Sequence, residues 1–241
     1  MAKTPKSPEE IFDPFVSEYK SAFGDDLIAV ILYGSAARGE YVYKKSDINF
    51  LIILSEDGIR NIDQAIPLIK KWQKAKVSTP LILTHQYIKT SLDSFPIEFF
   101  TMKQYYQVIY GEDVLVDIQI DNRDLRLQCE REIRGKLLHL REGYLNTYGE
   151  AKAIQELLKM SLPTFVSIFS GLLHLKKQPI PPAKKDLLKM TADLFSLDFS
   201  VFDKIIKLNQ NQIKFSKDEL KQLVGQYIEQ IRKLTYIVDE M

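Results

Sequence analysis

Residues 27–54 read Leu27-Ile28-Ala29-Val30-Ile31-Leu32-Tyr33-Gly34-Ser35-Ala36-Ala37-Arg38-Gly39-Glu40-Tyr41-Val42-Tyr43-Lys44-Lys45-Ser46-Asp47-Ile48-Asn49-Phe50-Leu51-Ile52-Ile53-Leu54. Leu27 to Tyr33 and Ile48 to Leu54 are rich in β-branched and large apolar side chains, as buried strands are. Gly34-Ser35 stops the first run where a backbone must approach something closely. Asp47 sits at the mouth of the second. A turn able to bind phosphate stands beside a carboxylate able to bind metal, which is the chemistry of a nucleotide site.

Outward from this stretch, the chain alternates helix and strand. Glu9 to Phe23 is expected as a helix, because Ile11, Phe15 and Tyr19 fall four apart on one face; Ser7 with Glu10 reads as its capping box and Pro8 as its first position. Residues 1–8 are expected to fray. Gly24-Asp25-Asp26 reads as turn chemistry rather than as metal ligands. Ile59 to Ala75 is expected as a helix with Ile62, Ile66 and Ile69 inward, and Pro80 to Thr84 as a third strand. His85 to Leu92 reads as a short helix and Asp93 to Pro96 as a turn. Ile97-Glu98-Phe99-Phe100-Thr101 is expected as a fourth strand, and Met102 to Tyr110 as a helix ended by Gly111.

From Arg123 onward the strand signal disappears. Leu125, Cys129, Ile133 and Leu137 step by four along a helix running to about Tyr148. Glu150 to Lys177 is a second helical stretch with a break at Pro163. Gln178 to Pro182 forms a rigid connector. Further helices follow over Lys184 to Phe195, Val201 to Leu208 and Lys217 to Met241. The fold class is therefore α+β: a small mixed-sheet domain over residues 1–115, followed by an all-α helical bundle over residues 116–241.

The chain has 241 residues, of which 45% are hydrophobic and 27% charged, as in an ordinary globular protein. The formal charge is +1, which argues against a dedicated duplex-DNA or membrane-surface binder but leaves room for a local basic cleft; a nucleic-acid partner is not expected. Cys129 is the only cysteine, so no intrachain disulfide forms, which suits a reducing cytosol. The amino terminus lacks the apolar core of a signal peptide, and the apolar runs read as strand-sized. A cytoplasmic protein with no membrane partner is expected. Oligomeric state is left open.

Gly34-Ser35, Ala37-Arg38-Gly39 and Ser46-Asp47-Ile48-Asn49 resemble the signature of the nucleotidyltransferase superfamily that includes DNA polymerase beta. The likeness is closest to its small bacterial members and to the aminoglycoside adenylyltransferases. Their pattern is a Gly-Ser turn, often followed by Ala-Arg-Gly, then Ser-Asp-x-Asp leading a strand. The one departure is Asn49, where the pattern has its second aspartate. The motifs cover roughly the first 110 residues; the helical half matches the adenylyltransferases only in kind, and in those enzymes the acceptor lies between the two halves.

The resemblance implies transfer of a nucleoside monophosphate from a magnesium- or manganese-bound nucleoside triphosphate to a hydroxyl acceptor, a small molecule or a protein side chain. Such transfer draws on two cations held by carboxylates. Asp47 is the expected metal ligand. Residues two apart in a strand share a side, so Asn49 faces the same site, with a neutral oxygen in place of a charge. Glu98 is the candidate third carboxylate: Pro96-Ile97-Glu98-Phe99 resembles the strand that carries the general base of the streptomycin-type enzymes. It is then metal ligand or base, and otherwise an edge-strand glutamate facing solvent. Gly34, Ser35 and Arg38 are placed to bind the triphosphate, and Ser46 to orient the second strand. Lys44 and Lys45 read as a solvated loop. A second reading, supported by Asn49, is a nucleotide-binding or regulatory relative that has lost metal-dependent transfer. A third, an antitoxin-like partner of a separate helical protein, is weakened because sheet and bundle share one chain.

Overall fold

Leu27–Tyr33 forms β1, and Asn49–Leu54 forms β2 antiparallel to it, with Tyr33 opposite Asn49 and Leu27 opposite Leu54. β3 (Leu81–Leu83) lies parallel to β2, and β4 (Tyr106–Gly111) antiparallel to β1, giving the order β3-β2-β1-β4. These elements come from a computed structural model that describes residues 4–241. Its chain divides into two units, Met1–Ile120 and Asp121–Met241.

Apart from Asn49 and the Tyr33 hydroxyl at the site end, the two long strands are apolar because both sheet faces are covered. Val30, Leu32, Phe50 and Ile52 pack against Phe15, Tyr19 and Phe23 of α1 (Phe12–Phe23) and against Trp72. Ala29, Ile31, Leu51 and Ile53 pack on the other face against Ile88, Phe99 and Met102. The rings of Phe15 and Phe50 stack at 4.2 Å, and Trp72 meets Phe15 edge-on at 5.4 Å.

Several local expectations change. The first helix opens with a 3-10 turn, Pro8–Ile11, and the Ser7 side chain makes no cap bond; instead the Glu10 carboxylate accepts from the backbone N–H of Lys6 at 3.0 Å. Residues 1–3 of the frayed start lie outside the described residues, whereas Pro5 is tied down by the Tyr41 hydroxyl, which donates to its carbonyl at 2.8 Å. The 59–75 segment is a 3-10 helix kinked at Asn61 (Gly58–Ala65), then α2 (Ile66–Trp72), then a 3-10 turn (Gln73–Ala75). The tighter period turns Ile62 and Ile66 outward, and Ala65, Trp72 and Ala75 take the buried positions.

The largest correction follows α3 (His85–Ser91). Residues 96–104 form a helix, α4 (Pro96–Gln104), and the fourth strand comes after it, as β4. Pro96 starts α4, a position where its missing N–H costs nothing. Pro96, Ile97, Phe99, Phe100 and Met102 are all buried, so this helix has no polar stripe to reveal its period. Glu98 is consequently an exposed residue of a helix's first turn, not a strand residue.

The second unit consists of α5 (Asn122–Asn146), α6 (Ala151–Ser161), α7 (Val166–Leu175), α8 (Lys184–Leu194), α9 (Phe199–Asn209) and α10 (Lys217–Asp239). Leu125, Cys129, Ile133 and Leu137 are buried, as their spacing of four requires. α7 crosses close to α5 at Gly171, where a β-carbon would stand 3.0 Å from the Cys129 sulfur. Ser216 and Glu219 form the capping box of α10. The exposed side of α5 carries ion pairs: Arg134 lies 2.9 Å from Glu130 and 3.2 Å from Asp239.

Ala151–Leu175 is long and apolar enough to cross a membrane, contrary to the expectation of strand-sized apolar runs. Its most apolar window is half buried inside the protein, and a 3-10 turn at Leu162–Phe165, containing Pro163, interrupts it. It reads as a core segment of the helical unit.

Candidate functional site

β1 ends at Tyr33, and Gly34 takes φ +78, a conformation that disfavours any side chain. The chain then winds back on itself: the N–H of Arg38 donates to the Gly34 carbonyl at 3.2 Å, and that of Glu40 to the Ser35 carbonyl at 2.9 Å. Gly39, at φ +76, closes the turn. Asn49, opposite Tyr33, lies over Gly34: a β-carbon there would be 3.0 Å from its Nδ2. The turn and the entry to β2 are thus packed against one another.

Ser46 shapes that entry. Its hydroxyl accepts from the Val42 N–H at 3.0 Å while its own N–H donates to the Val42 carbonyl at 2.9 Å, closing a loop through Lys44 at φ +62. Asp47 follows, with its side chain 59% exposed and Oδ1 3.9 Å from Nζ of Lys76. Lys76 belongs to a segment that runs beside β2: Ile48 bridges Val77, the Ile48 N–H donates to the Lys76 carbonyl at 2.9 Å, and Ser78 donates to the Ile48 carbonyl at 3.0 Å. The neighbours of Asp47 and Asn49 in this ladder are therefore Lys76 and Ser78, a cation and a hydroxyl.

Arg38 reaches toward the start of β4. Its guanidinium carbon lies 5.1 Å from the centre of the Tyr105 ring, and its Nε is buried without a hydrogen-bond partner. Tyr106, next along, sits opposite Tyr33. Burial pushes the Tyr33 hydroxyl above its ordinary pKa; for Tyr106 burial again leads, helped by the hydrogen bond it donates to Asp113 at 2.9 Å. Both phenols stay neutral through the physiological range.

Gly34, Ser35, Arg38, Ser46, Asp47 and Asn49 therefore belong to one end of the sheet. Glu98, expected on a strand, lies instead in the first turn of α4. No acidic residue occurs in any of the four strands. Among the described residues no group of three or more His, Cys, Asp or Glu side chains could hold a metal. One carboxylate and one amide fit a single divalent cation that takes its remaining oxygens from phosphates and water. They do not fit two protein-held ions. The groove of about 390 Å³ lined by His85, Ile88, Lys89, Leu92, Val114 and Ile118 lies at the opposite end of the sheet.

No family model matches the chain. Over 59 residues it is 44% identical to the "putative protein adenylyltransferase" of Methanocaldococcus jannaschii; this covers 24% of the chain and 40% of that relative, so the chain spans well under two thirds of the protein it matches. Among solved structures it resembles spectinomycin adenyltransferase AAD(9) from Enterococcus faecialis, determined with ATP and spectinomycin, with a TM-score of 0.50 and 15% identity over 91% of this chain and 99% of that one. The structural likeness is one of fold. The sequence likeness to the adenylyltransferase is confined to those 59 residues.

Proposed function

We propose that the protein transfers a nucleoside monophosphate from a nucleoside triphosphate to a hydroxyl group, in the cytoplasm. The observation that carries this reading is the close approach of Asn49 to Gly34, which packs the Gly34–Gly39 turn against the strand entry that holds Asp47. The backbone after Gly34, the Ser35 hydroxyl and the Arg38 guanidinium bind the β- and γ-phosphates. Asp47, with the amide oxygen of Asn49, holds magnesium or manganese; when bound, that ion neutralises triphosphate charge. The acceptor oxygen attacks the α-phosphorus, the bond to the bridging oxygen breaks, pyrophosphate leaves, and the acceptor's proton passes to water. The relatives' names point to a protein or a small molecule such as spectinomycin as acceptor. Glu98 has no part in this scheme, since it lies in the first turn of α4 and not on a strand of the sheet.

The lack of acidic residues in the strands favours one other reading, a nucleotide binder that no longer transfers. Thermal unfolding with each nucleoside triphosphate, with and without magnesium or manganese, separates the two from a bare scaffold. Ligand at about a hundred times its dissociation constant adds roughly 2.7 kcal/mol of stability. A shift that needs both nucleotide and metal supports the transferase, to be followed by transfer of α-phosphate label. A metal-independent shift supports the binder, and no shift rejects both.

A further inference from the structure

We propose that Lys76 supplies at Asp47 the second positive charge that nucleotidyl transfer otherwise draws from a second divalent cation, so that the site takes up one ion per nucleotide. The inference rests on the nucleotide-binding reading above and deepens it.

Lys76 is held in place from both sides along the chain. Ala75 and Val77 are buried, the Lys76 N–H donates to the Gln73 carbonyl at 3.1 Å, and its carbonyl accepts from Ile48 at 2.9 Å. Its φ is +65, a left-handed conformation uncommon for a residue with a side chain. What this anchoring presents is an ammonium 3.9 Å from the Asp47 carboxylate, with both side chains about half exposed, at 47% and 59%. An exposed ion pair of that length contributes little to folding. Stability therefore does not account for a lysine at a position that glycine would occupy without strain.

Charge balance at the site does account for it. Asp47 is the one carboxylate at the entry to β2, and its ladder neighbour is Lys76. Two divalent ions placed there would face a single protein carboxylate and a fixed ammonium. One ion together with the ammonium opposes triphosphate charge without needing a second acid. Lysine suits the task as a compact point charge, the way lysines commonly bind phosphate.

The test counts manganese(II) bound to the full chain by electron paramagnetic resonance, with a non-hydrolysable ATP analogue present. The expected result is one ion per bound nucleotide. Lys76→Gly, which the backbone accepts, should unfold at the same temperature or higher while its affinity for the analogue falls about tenfold and that for AMP changes little. Lys76→Arg should keep most of the affinity. Two ions per nucleotide in the unaltered chain, or undiminished analogue binding by Lys76→Gly, overturns the role of Lys76 and leaves nucleotide binding standing. Failure of the unaltered chain to bind any nucleotide sinks both.

Discussion

Asn49 rests on Gly34: a β-carbon added to the glycine would stand 3.0 Å from the asparagine Nδ2. Gly34 follows the end of β1 and Asn49 opens β2, so they belong to the two halves of the candidate site. Moving either one moves the phosphate turn relative to Asp47.

Two alanine substitutions separate backbone strain from that contact. Gly34 and Gly39 both have φ near +77 (+78 and +76), but nothing lies within 4 Å of a β-carbon at Gly39. Gly39→Ala is expected to lose only the conformational term, about 1–2 kcal/mol. Gly34→Ala should lose more and also weaken nucleotide binding, because Asn49 must shift. Urea unfolding and nucleotide titration of both variants check this.

Gly111 ends β4 with a β-carbon site only 1.8 Å from the Ile28 carbonyl oxygen, at φ +76. A side chain cannot be accommodated without parting β4 from β1. Gly111→Ala is expected to cost about 4 kcal/mol or more, since the clash is with backbone. Circular dichroism and urea unfolding should show the sheet unit lost while the helical unit persists.

Ser216 caps α10, its hydroxyl accepting from the Glu219 N–H at 3.3 Å. Ser216→Ala should destabilise the helical unit by about 1 kcal/mol and leave the sheet unit alone. A two-step urea profile would show a shift in one step only.

Asp203 on α9 lies 2.6 Å from Lys207 and 3.1 Å from Lys185 of α8. The hydrogen bond from Lys207, seconded by Lys185, holds its carboxyl below the ordinary carboxylate range against the opposing effect of burial. A folded pKa below the unfolded one means that the stabilisation is present above the unfolded pKa and lost as pH falls through the folded value. Asp203→Asn should therefore lower the thermal midpoint at pH 7, and the gap to the unaltered chain should close below about pH 4. Midpoints measured from pH 7 down to pH 2 decide it.

Asn49→Asp puts a second carboxylate two residues after Asp47. Magnesium-dependent triphosphate binding is expected to tighten about tenfold, or 1.4 kcal/mol. Calorimetric titration with and without magnesium checks the change, which should vanish when the metal is withheld.

The strands of residues 27–54 were legible because burial on both faces leaves an apolar run between turn residues, and β1 and β2 follow it closely. Helix α5 was legible from one face repeating every four residues. Residues 96–111 were not. An alternation such as Ile97-Glu98-Phe99 suggests a strand, yet α4 is buried on most sides and its only local marker is Pro96. Tyr106 to Tyr110 had the composition of a strand but lay inside an expected helix. Lys76 and Ser78 left no mark of their own, because neither residue type announces a site. Only the bridge from Ile48 to Val77 sets Lys76 beside Asp47 and Ser78 beside Asn49.

Cys129 is the chain's only thiol, fully buried where α7 crosses α5 at Gly171. A thiol reagent can reach it only when those two helices part, so its labelling rate is a clock for opening of the helical unit. The sheet unit, which has no cysteine, is silent in that assay. Nucleotide that slowed labelling would reveal coupling from one unit to the other without any probe being added to the protein.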